Sequence, residues 1–335
     1  MIQKLSVNNL GPIASIQCNT LGKINLFVGE NGTGKTYLLK FIYAIIKCTE
    51  QFQRGIERRS LNQLLSDKLF NVFLLSELGE LVKKGTSELS TEIKMDAGAT
   101  LAFSFGISTK QQIQNLHSTI PATNINSIFI PAKEILSLQN VIIRSRGEMF
   151  NEKGFDDTYL DLANALMPSY KGRNYEAFSN VRKNLAEALN GRIEFDDTKK
   201  EWIFKDSQRR IYNISVTAEG IKKLSVLGAL LGNHYLSNQS TIFIDEIENA
   251  LHPALISKFI EMVYLLAKAG IQFFISTHSY AVIKKLYIIA QREKQAIPVF
   301  SLEKEKVQYG NLAEDMPDNA IIRESIKLYE EEIEL

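Results

Sequence analysis

Eight consecutive residues carry the densest chemistry in the chain. Gly29-Glu30-Asn31-Gly32-Thr33-Gly34-Lys35-Thr36 fits the pattern G-x-x-x-x-G-K-[ST] in full. Glycines let such a loop curl so that successive backbone N–H groups face inward. The positive end of a following helix completes a nest for phosphate oxygens. Lys35 would then reach the β- and γ-phosphates of a nucleoside triphosphate, and Thr36 would give its hydroxyl to Mg²⁺. The expected ligands are ATP and Mg²⁺, with all eight residues in contact. A chance match in a glycine-containing turn would lack the flanking pattern found here, an apolar run before the loop and helically spaced apolar residues after it.

Two further clusters are independent of the first. Thr241-Ile-Phe-Ile-Asp245-Glu246 is an apolar strand pattern ending in two acids. A carboxylate at the end of a parallel strand lies at the edge where ligands bind in such sheets. Asp245 would hold Mg²⁺ through water, and Glu246 would orient or deprotonate an attacking water. Ser276-Thr-His278-Ser ends the next strand pattern, Gln272–Ser276, and places His278 within reach of a γ-phosphate. Glu246 and His278 are the candidate catalytic pair, and Thr36 and Asp245 the candidate metal ligands. His117 and His234 have no such context, no cluster has zinc-ligand spacing, and Asp156-Asp157 and Asp196-Asp197 read as turn acids.

The elements that must position these groups follow from periodicity. Gln3–Val7 and Ile13–Asn19 alternate around an Asn-Leu-Gly-Pro turn, and Ile24–Val28 is an apolar run. Tyr37–Thr49 carries apolar residues at helical spacing. Residues 50–93 are polar and helical in tendency, with Arg54, Arg58, Arg59, Lys83 and Lys84 among leucines, and read as an inserted helical lobe. Strand patterns follow at Thr100–Ile107 and Ser127–Ile130. Phe155–Leu166 and Tyr175–Leu189 are amphipathic, separated by a Pro-Ser-Tyr-Lys-Gly loop. Arg192–Phe195, Trp202–Phe204 and Arg210–Ile214 read as a small antiparallel meander. Beyond them helix and strand alternate: Gly220–Leu231, Thr241–Ile244, Pro253–Ala269, Gln272–Ser276 and Tyr280–Gln291. That alternation argues a parallel α/β sheet. Glu324–Leu335 reads as an acidic, solvated helical end. The domain division expected is 1–49 with 95–135 as the first part of the core, 50–94 as the helical insert, 136–190 as a helical subdomain and 191–335 as the second part of the core.

Composition narrows the setting. The chain has 335 residues, enough at ~150 per domain for two domains or one large domain with an insert. Lys+Arg number 39 and Asp+Glu 38, a net charge of +1, so attraction to nucleic acid or anionic lipid must come from a local patch. Two cysteines without a CxxC favour a reducing compartment. No apolar run approaches the ~20 residues of a membrane span, and the first residues lack a signal-peptide pattern. A cytoplasmic protein without a membrane partner is expected.

The order of these motifs resembles the heads of ABC-type ATPases, and most of all the soluble OLD-like, SMC- and RecF-related branch. Leu5-Ser-Val-Asn-Asn-Leu-Gly-Pro-Ile13 and Ile24-Asn-Leu-Phe-Val-Gly-Glu-Asn-Gly32 are similar to that branch's opening hairpin and phosphate loop, and Glu246-Ile-Glu-Asn-Ala-Leu-His-Pro253 to its acid pair and D-loop. With so short a stretch after His278, no TOPRIM module like that of the OLD nucleases is expected here, and residues 50–190 lack the sustained heptads of SMC arms. The resemblance implies an α/β P-loop fold of ABC-ATPase type: a mostly parallel sheet, an N-terminal antiparallel portion and an inserted helical lobe. It also implies a homodimer or higher oligomer sandwiching two ATP molecules, with the signature loop of one copy facing the phosphates of the other. Val216-Thr217-Ala218-Glu219-Gly220-Ile-Lys-Lys-Leu224 stands at the signature position, so Thr217, Glu219 and Gly220 are carried over as nucleotide contacts. It departs from the usual Leu-Ser-Gly-Gly. If Ala218 stands at the usual serine, that hydroxyl is lost and Thr217 or Ser215 must substitute. No glutamine near Ser127–Glu134 matches the family's Q-loop.

Three functions fit this reading. The first is an ATPase controlling a separate effector, a nuclease or toxin, in bacterial anti-phage defence or a toxin–antitoxin-like pair. The second is a RecF- or SMC-like DNA-maintenance ATPase, with Arg54, Arg58, Arg59, Lys83, Lys84, Arg144 and Arg146 as a nucleic-acid patch. The third is a nucleotide-gated scaffold with little turnover.

Overall fold

The computed structural model describes residues 1–53, 59–121, 125–145, 154–167, 175–304 and 306–335. The first half contains β1 (Ile2–Leu10), β2 (Ile13–Cys18), β3 (Ile24–Val28), α1 (Lys35–Gln53), α2 (Leu61–Phe73), β4 (Glu88–Met95), β5 (Thr100–Gly106), β6 (Asn115–Ser118), β7 (Ile128–Ile130), α3 (Gln139–Ser145) and α4 (Asp157–Leu166). The second half contains α5 (Glu176–Leu189), β8 (Gly191–Asp196), β9 (Glu201–Asp206), β10 (Ile211–Asn213), α6 (Glu219–Gly232), β11 (Thr241–Ile244), α7 (Pro253–Lys268), β12 (Gln272–Thr277), α8 (Tyr280–Glu293), β13 (Pro298–Leu302), β14 (Val307–Asn311) and α9 (Ala320–Ile333).

Among the described residues the main sheet has the order β14-β13-β3-β12-β11-β7. From β13 to β7 every neighbouring pair is parallel, and β14 closes one edge antiparallel to β13. Every residue of β3, β11 and β12 is buried. Strands covered on both faces have no solvent side to place polar residues on, so their sequences are apolar runs rather than alternations. One face carries a row of rings, Phe300, Phe27, Phe274, Phe243 and Phe129, one from each parallel strand. Successive centroids lie 5.1, 6.1, 5.0 and 6.4 Å apart.

Helix α1 lies on that row. Tyr43 meets Phe129 and Phe243 edge-on at 5.7 Å, and Phe41 on the same helix reaches Phe103 of a second sheet at 5.9 Å. This second sheet, β2-β1-β4-β5-β6, is antiparallel throughout. A helix clamped between two sheets needs apolar residues around most of its circumference, and Phe41–Glu50 are buried without a break. The opposite face of the main sheet, led by Ile24, Leu26 and Val28, packs under α4 to α8. The three-stranded meander β10-β9-β8 feeds α6.

Three elements differ from the sequence reading. The span 50–94 read as helical holds α2, but its end, from Glu88 onward, is β4, whose Leu89, Thr91 and Ile93 turn inward between β1 and β5. The alternation was legible there; its partner strands, more than 80 residues away in the case of β1, were not. Strand β6 and the β13–β14 hairpin are also additions. Of the cations grouped as a nucleic-acid patch, Arg59 pairs with Asp67 at 2.7 Å and Lys83 donates to the Pro12 carbonyl. Arg54, Arg58, Arg146 and the loop 168–172 lie outside the described residues.

Candidate functional site

The loop from Gly29 to Gly34 joins the buried end of β3 to the first turn of α1, as the pattern required. Gly29 and Gly34 have φ of +153° and +98°, values that L side chains rarely adopt. A Cβ on Gly29 would come within 2.3 Å of the Leu302 carbonyl oxygen, and one on Gly34 within 2.9 Å of Pro12 and Ile13. Space as well as conformation therefore requires glycine at both positions. Inside the curl the Lys35 ammonium donates to the carbonyls of Gly29 (2.7 Å) and Glu30 (2.8 Å). Burial holds its pKa below the usual lysine value, against the opposing pull of Glu246, Asp245, Glu248 and Glu30.

The two distant motifs meet under this loop. Thr36 Oγ1 donates to Asp245 Oδ1 at 2.8 Å across 209 residues of sequence. The parallel registers place β11 and β3 on either side of β12, so Asp245 and Thr36 emerge at the same edge of the sheet. Ser276 completes the arrangement. Its hydroxyl donates to the same Asp245 oxygen at 2.5 Å and accepts the Glu246 N–H at 2.9 Å. Glu246 has φ of +45°, and its side chain lines a cleft of about 450 Å³ together with Asn31, Gly32, Gly34, Lys35 and Thr36. The far wall is Tyr37, Phe73 and the Lys40–Asp156 pair, 2.6 Å apart.

His278 does not line this cleft; it is 45% exposed, with Nδ1 3.7 Å from Glu246, which does, and 3.4 Å from Glu248. Glu248 also accepts the His278 backbone N–H (2.9 Å) and the Thr277 hydroxyl (2.8 Å), so it fixes the chain where it leaves β12. The signature residues are elsewhere. Gly220 packs on the Ala250 backbone, where a Cβ would come within 2.6 Å of the carbonyl oxygen. The Thr217 hydroxyl donates to Asn213 O, and Glu219 pairs with Lys222. None of the three lines the cleft of their own chain.

Sequence reasoning missed Ser276, Glu248, Lys223 and the Lys40–Asp156 pair. Ser276 and Glu248 sat inside motifs already singled out, but only the register of β11 on β12 shows what they touch. Lys223 sat inside the signature segment, with nothing there to show what it touches, and Asp156, read as a turn acid, N-caps α4 and pairs with Lys40.

Donor chemistry bears on the ligands. Thr36 and Asp245 supply hard oxygens, and among the described residues no three carboxylate, histidine or cysteine side chains converge as a metal cage. Such a half-site suits Mg²⁺, which keeps waters and shares its coordination with substrate phosphates. No described helix is long and apolar enough to cross a membrane.

The family described as AAA domain, putative AbiEii toxin, Type IV TA system matches residues 103–284. A Helicobacter pylori protein named ATP/GTP phosphatase is 24% identical over 356 residues, which cover 89% of this chain and 95% of that protein. An SMC head bound to the C-winged helix domain of ScpA superposes with a TM-score of 0.56 at 14% identity, over 92% of this chain and 97% of that one. A second SMC head, with an extended coiled coil and bound to the C-terminal domain of ScpA derived from Pyrococcus furiosus, gives 0.55 at 12% identity over 98% of both chains. The fold is that of a P-loop ATPase of ABC type, α/β with a mostly parallel main sheet.

Proposed function

The chain belongs to the AAA-domain family described as putative AbiEii toxin, Type IV TA system, and is an ATPase of ABC type; from that premise we propose that two copies close on ATP and so control a separate effector. The effector is a nuclease or toxin, the setting anti-phage defence or a toxin–antitoxin-like pair in the cytoplasm, and the branch the soluble OLD-like one. The observation that carries the nucleotide chemistry is the meeting of Thr36 with Asp245 at 2.8 Å under a positive-φ glycine loop, with Glu246 in the same cleft. The matched family's description, which pairs an AAA domain with a toxin system, supports the effector half of the reading.

In this reading the loop amides from Gly29 to Thr36 cradle the phosphates. Lys35 leaves the Gly29 and Glu30 carbonyls to meet the β- and γ-phosphates. Thr36 and Asp245 would hold Mg²⁺, which would offset the charge that develops on the phosphate oxygens. Glu246 accepts a proton from the attacking water, and His278, held by Glu248 and beside Glu246, faces the γ-phosphate. Thr217, Glu219 and Gly220, absent from their own chain's cleft, are presented to the nucleotide of the second copy.

The test is ATP hydrolysis and nucleotide binding by the purified chain. Lys35→Ala should lose binding. Glu246→Gln should keep binding, accumulate an ATP-bound dimer and lose about a hundredfold or more in turnover, the scale for removing one charge-handling group. Unchanged hydrolysis in Glu246→Gln would show the base to be misassigned. Native pull-downs that recover no nuclease or toxin at any nucleotide state would remove the effector reading.

A further inference from the structure

The site leaves one buried charge without a role. Lys223, on α6, is 4% exposed. Its ammonium donates to the backbone carbonyl of Glu246 at 2.5 Å and points at that of Asp245 at 3.4 Å. Among the described residues no carboxylate lies within ion-pairing distance of it. The neighbouring Lys222, equally buried, is by contrast paired with Glu219 at 2.8 Å and Glu134 at 3.5 Å. A buried ammonium without a carboxylate partner is costly, so its placement against two particular carbonyls needs a reason.

The reason lies in the turn it holds. Glu246 is a non-glycine residue at φ +45°, a conformation that persists when the surroundings over-determine it. Three contacts do so here. The Ser276 hydroxyl accepts the Glu246 N–H on one side, the Asn249 N–H donates back to Glu246 O at 2.9 Å, and Lys223 donates to that same carbonyl. The Glu246 carbonyl thus takes two donors, one of them charged. With peptide planes fixed on both sides of its Cα, the Cα–Cβ bond of Glu246 has one direction, and Glu246 lines the cleft. One turn before Lys223 on the same helix, Gly220 lies against the Ala250 backbone, so α6 is tied to both ends of this loop.

We propose that Lys223 is a positioning residue for ATP hydrolysis: by clasping the Glu246 and Asp245 carbonyls it holds the left-handed turn that aims the Glu246 carboxylate at the attacking water. This deepens the functional reading above and rests on Glu246 being the base.

The experiment compares wild type, Lys223→Met, Lys223→Arg, Glu246→Gln and the Lys223→Met/Glu246→Gln double variant. It measures kcat and KM for ATP, the Kd of a fluorescent ATP analogue, and thermal melting. Lys223→Met should lower kcat about ten- to a hundredfold, the range for sub-ångström to ångström misplacement of a catalytic group, while the Kd stays within about twofold because no phosphate contact is touched. Lys223→Arg keeps the donors and should recover part of kcat. The double variant should turn over no more slowly than Glu246→Gln alone, since a residue acting through Glu246 has nothing left to position. Wild-type kcat in a folded Lys223→Met protein would overturn the proposal and leave the ATPase reading standing. So would a double variant in which the two losses multiply. If Lys223→Met melts below the assay temperature, the same cycle run with Lys223→Arg decides. No hydrolysis by wild type would overturn the ATPase reading, and this inference with it.

Discussion

Ser276→Ala is the substitution whose consequence can be worked furthest from the geometry. The side chain is fully buried. Its hydroxyl makes a 2.5 Å bond to the Asp245 carboxylate and accepts the Glu246 N–H at 2.9 Å. Alanine removes both. Losing a hydrogen bond to a charged group costs about 1.5–3 kcal/mol, and an orphaned buried N–H about 1–3 kcal/mol. The two share one atom and are not additive, so the expected loss is about 2–5 kcal/mol. With an unfolding entropy of roughly 2 cal/mol/K per residue, a chain of this length loses about 3–7 °C in Tm for that change. The functional effect should be separate from the stability effect. Asp245 keeps Thr36 but loses the partner that orients it, and losing such a supporting hydrogen bond lowers metal affinity about 10–100-fold. The assay is a Mg²⁺ titration of ATP hydrolysis at a temperature where both proteins are folded, beside a melting curve. The half-saturating Mg²⁺ concentration should rise in Ser276→Ala while nucleotide binding without metal stays level. A variant that melts with wild type and shows the same Mg²⁺ dependence would refute the account of Ser276 as the strut of Asp245 and Glu246.

Two other perturbations test different layers. Gly29→Ala places a Cβ against the Leu302 carbonyl at a φ of +153°; it should abolish nucleotide binding measured by fluorescence titration and cost about 1–3 kcal/mol of stability by denaturant melting. Asp161 sits under α1, accepting from Lys68 (2.6 Å) and Tyr43 (2.6 Å). Burial pushes its carboxyl pKa up, but Lys68, Lys47 and these hydrogen bonds outweigh that and hold it below the ordinary aspartate value. A carboxyl depressed in the folded state stabilises above the unfolded pKa and loses that contribution as pH falls through the folded value. Asp161→Asn should therefore cost about 1.5–3 kcal/mol near neutral pH, the scale for charge-assisted hydrogen bonds, because Lys68 keeps Asp157 at 3.1 Å and Lys47 keeps Glu50 at 3.6 Å. The difference from wild type in urea melts should shrink steadily below about pH 4. A gap that stays constant with pH would show that the charge on Asp161 is not what matters.

How far the sequence reached depends on the range of the interaction concerned. The phosphate loop is eight contiguous residues whose conformation is set by local sterics, so its glycines, Lys35 and Thr36 were readable one after another. Asp245 and Glu246 were readable because a run buried on both faces ends abruptly in two acids. The chain of helices and strands from Gly220 to Gln291 followed from hydrophobic pattern alone. The same local logic failed at Glu88–Met95, where the residues alternate correctly but the pairing partner is β1, and at Pro298–Asn311, where a short hairpin finishes a sheet begun near the N-terminus.

What the fold alone decided is contact between residues far apart in sequence. The bond from Thr36 to Asp245, the strut from Ser276 and the clasp of Lys223 on a left-handed Glu246 depend on β3, β12 and β11 lying side by side in register, and on α6 crossing beneath their ends. Register is a property of the assembled sheet, since a one-residue slip sends a side chain to the other face. A serine, a lysine and a positive φ at glutamate carry no mark of their task until neighbours from distant segments surround them. The chain's chemistry was written in types and spacings; its aim was set by packing.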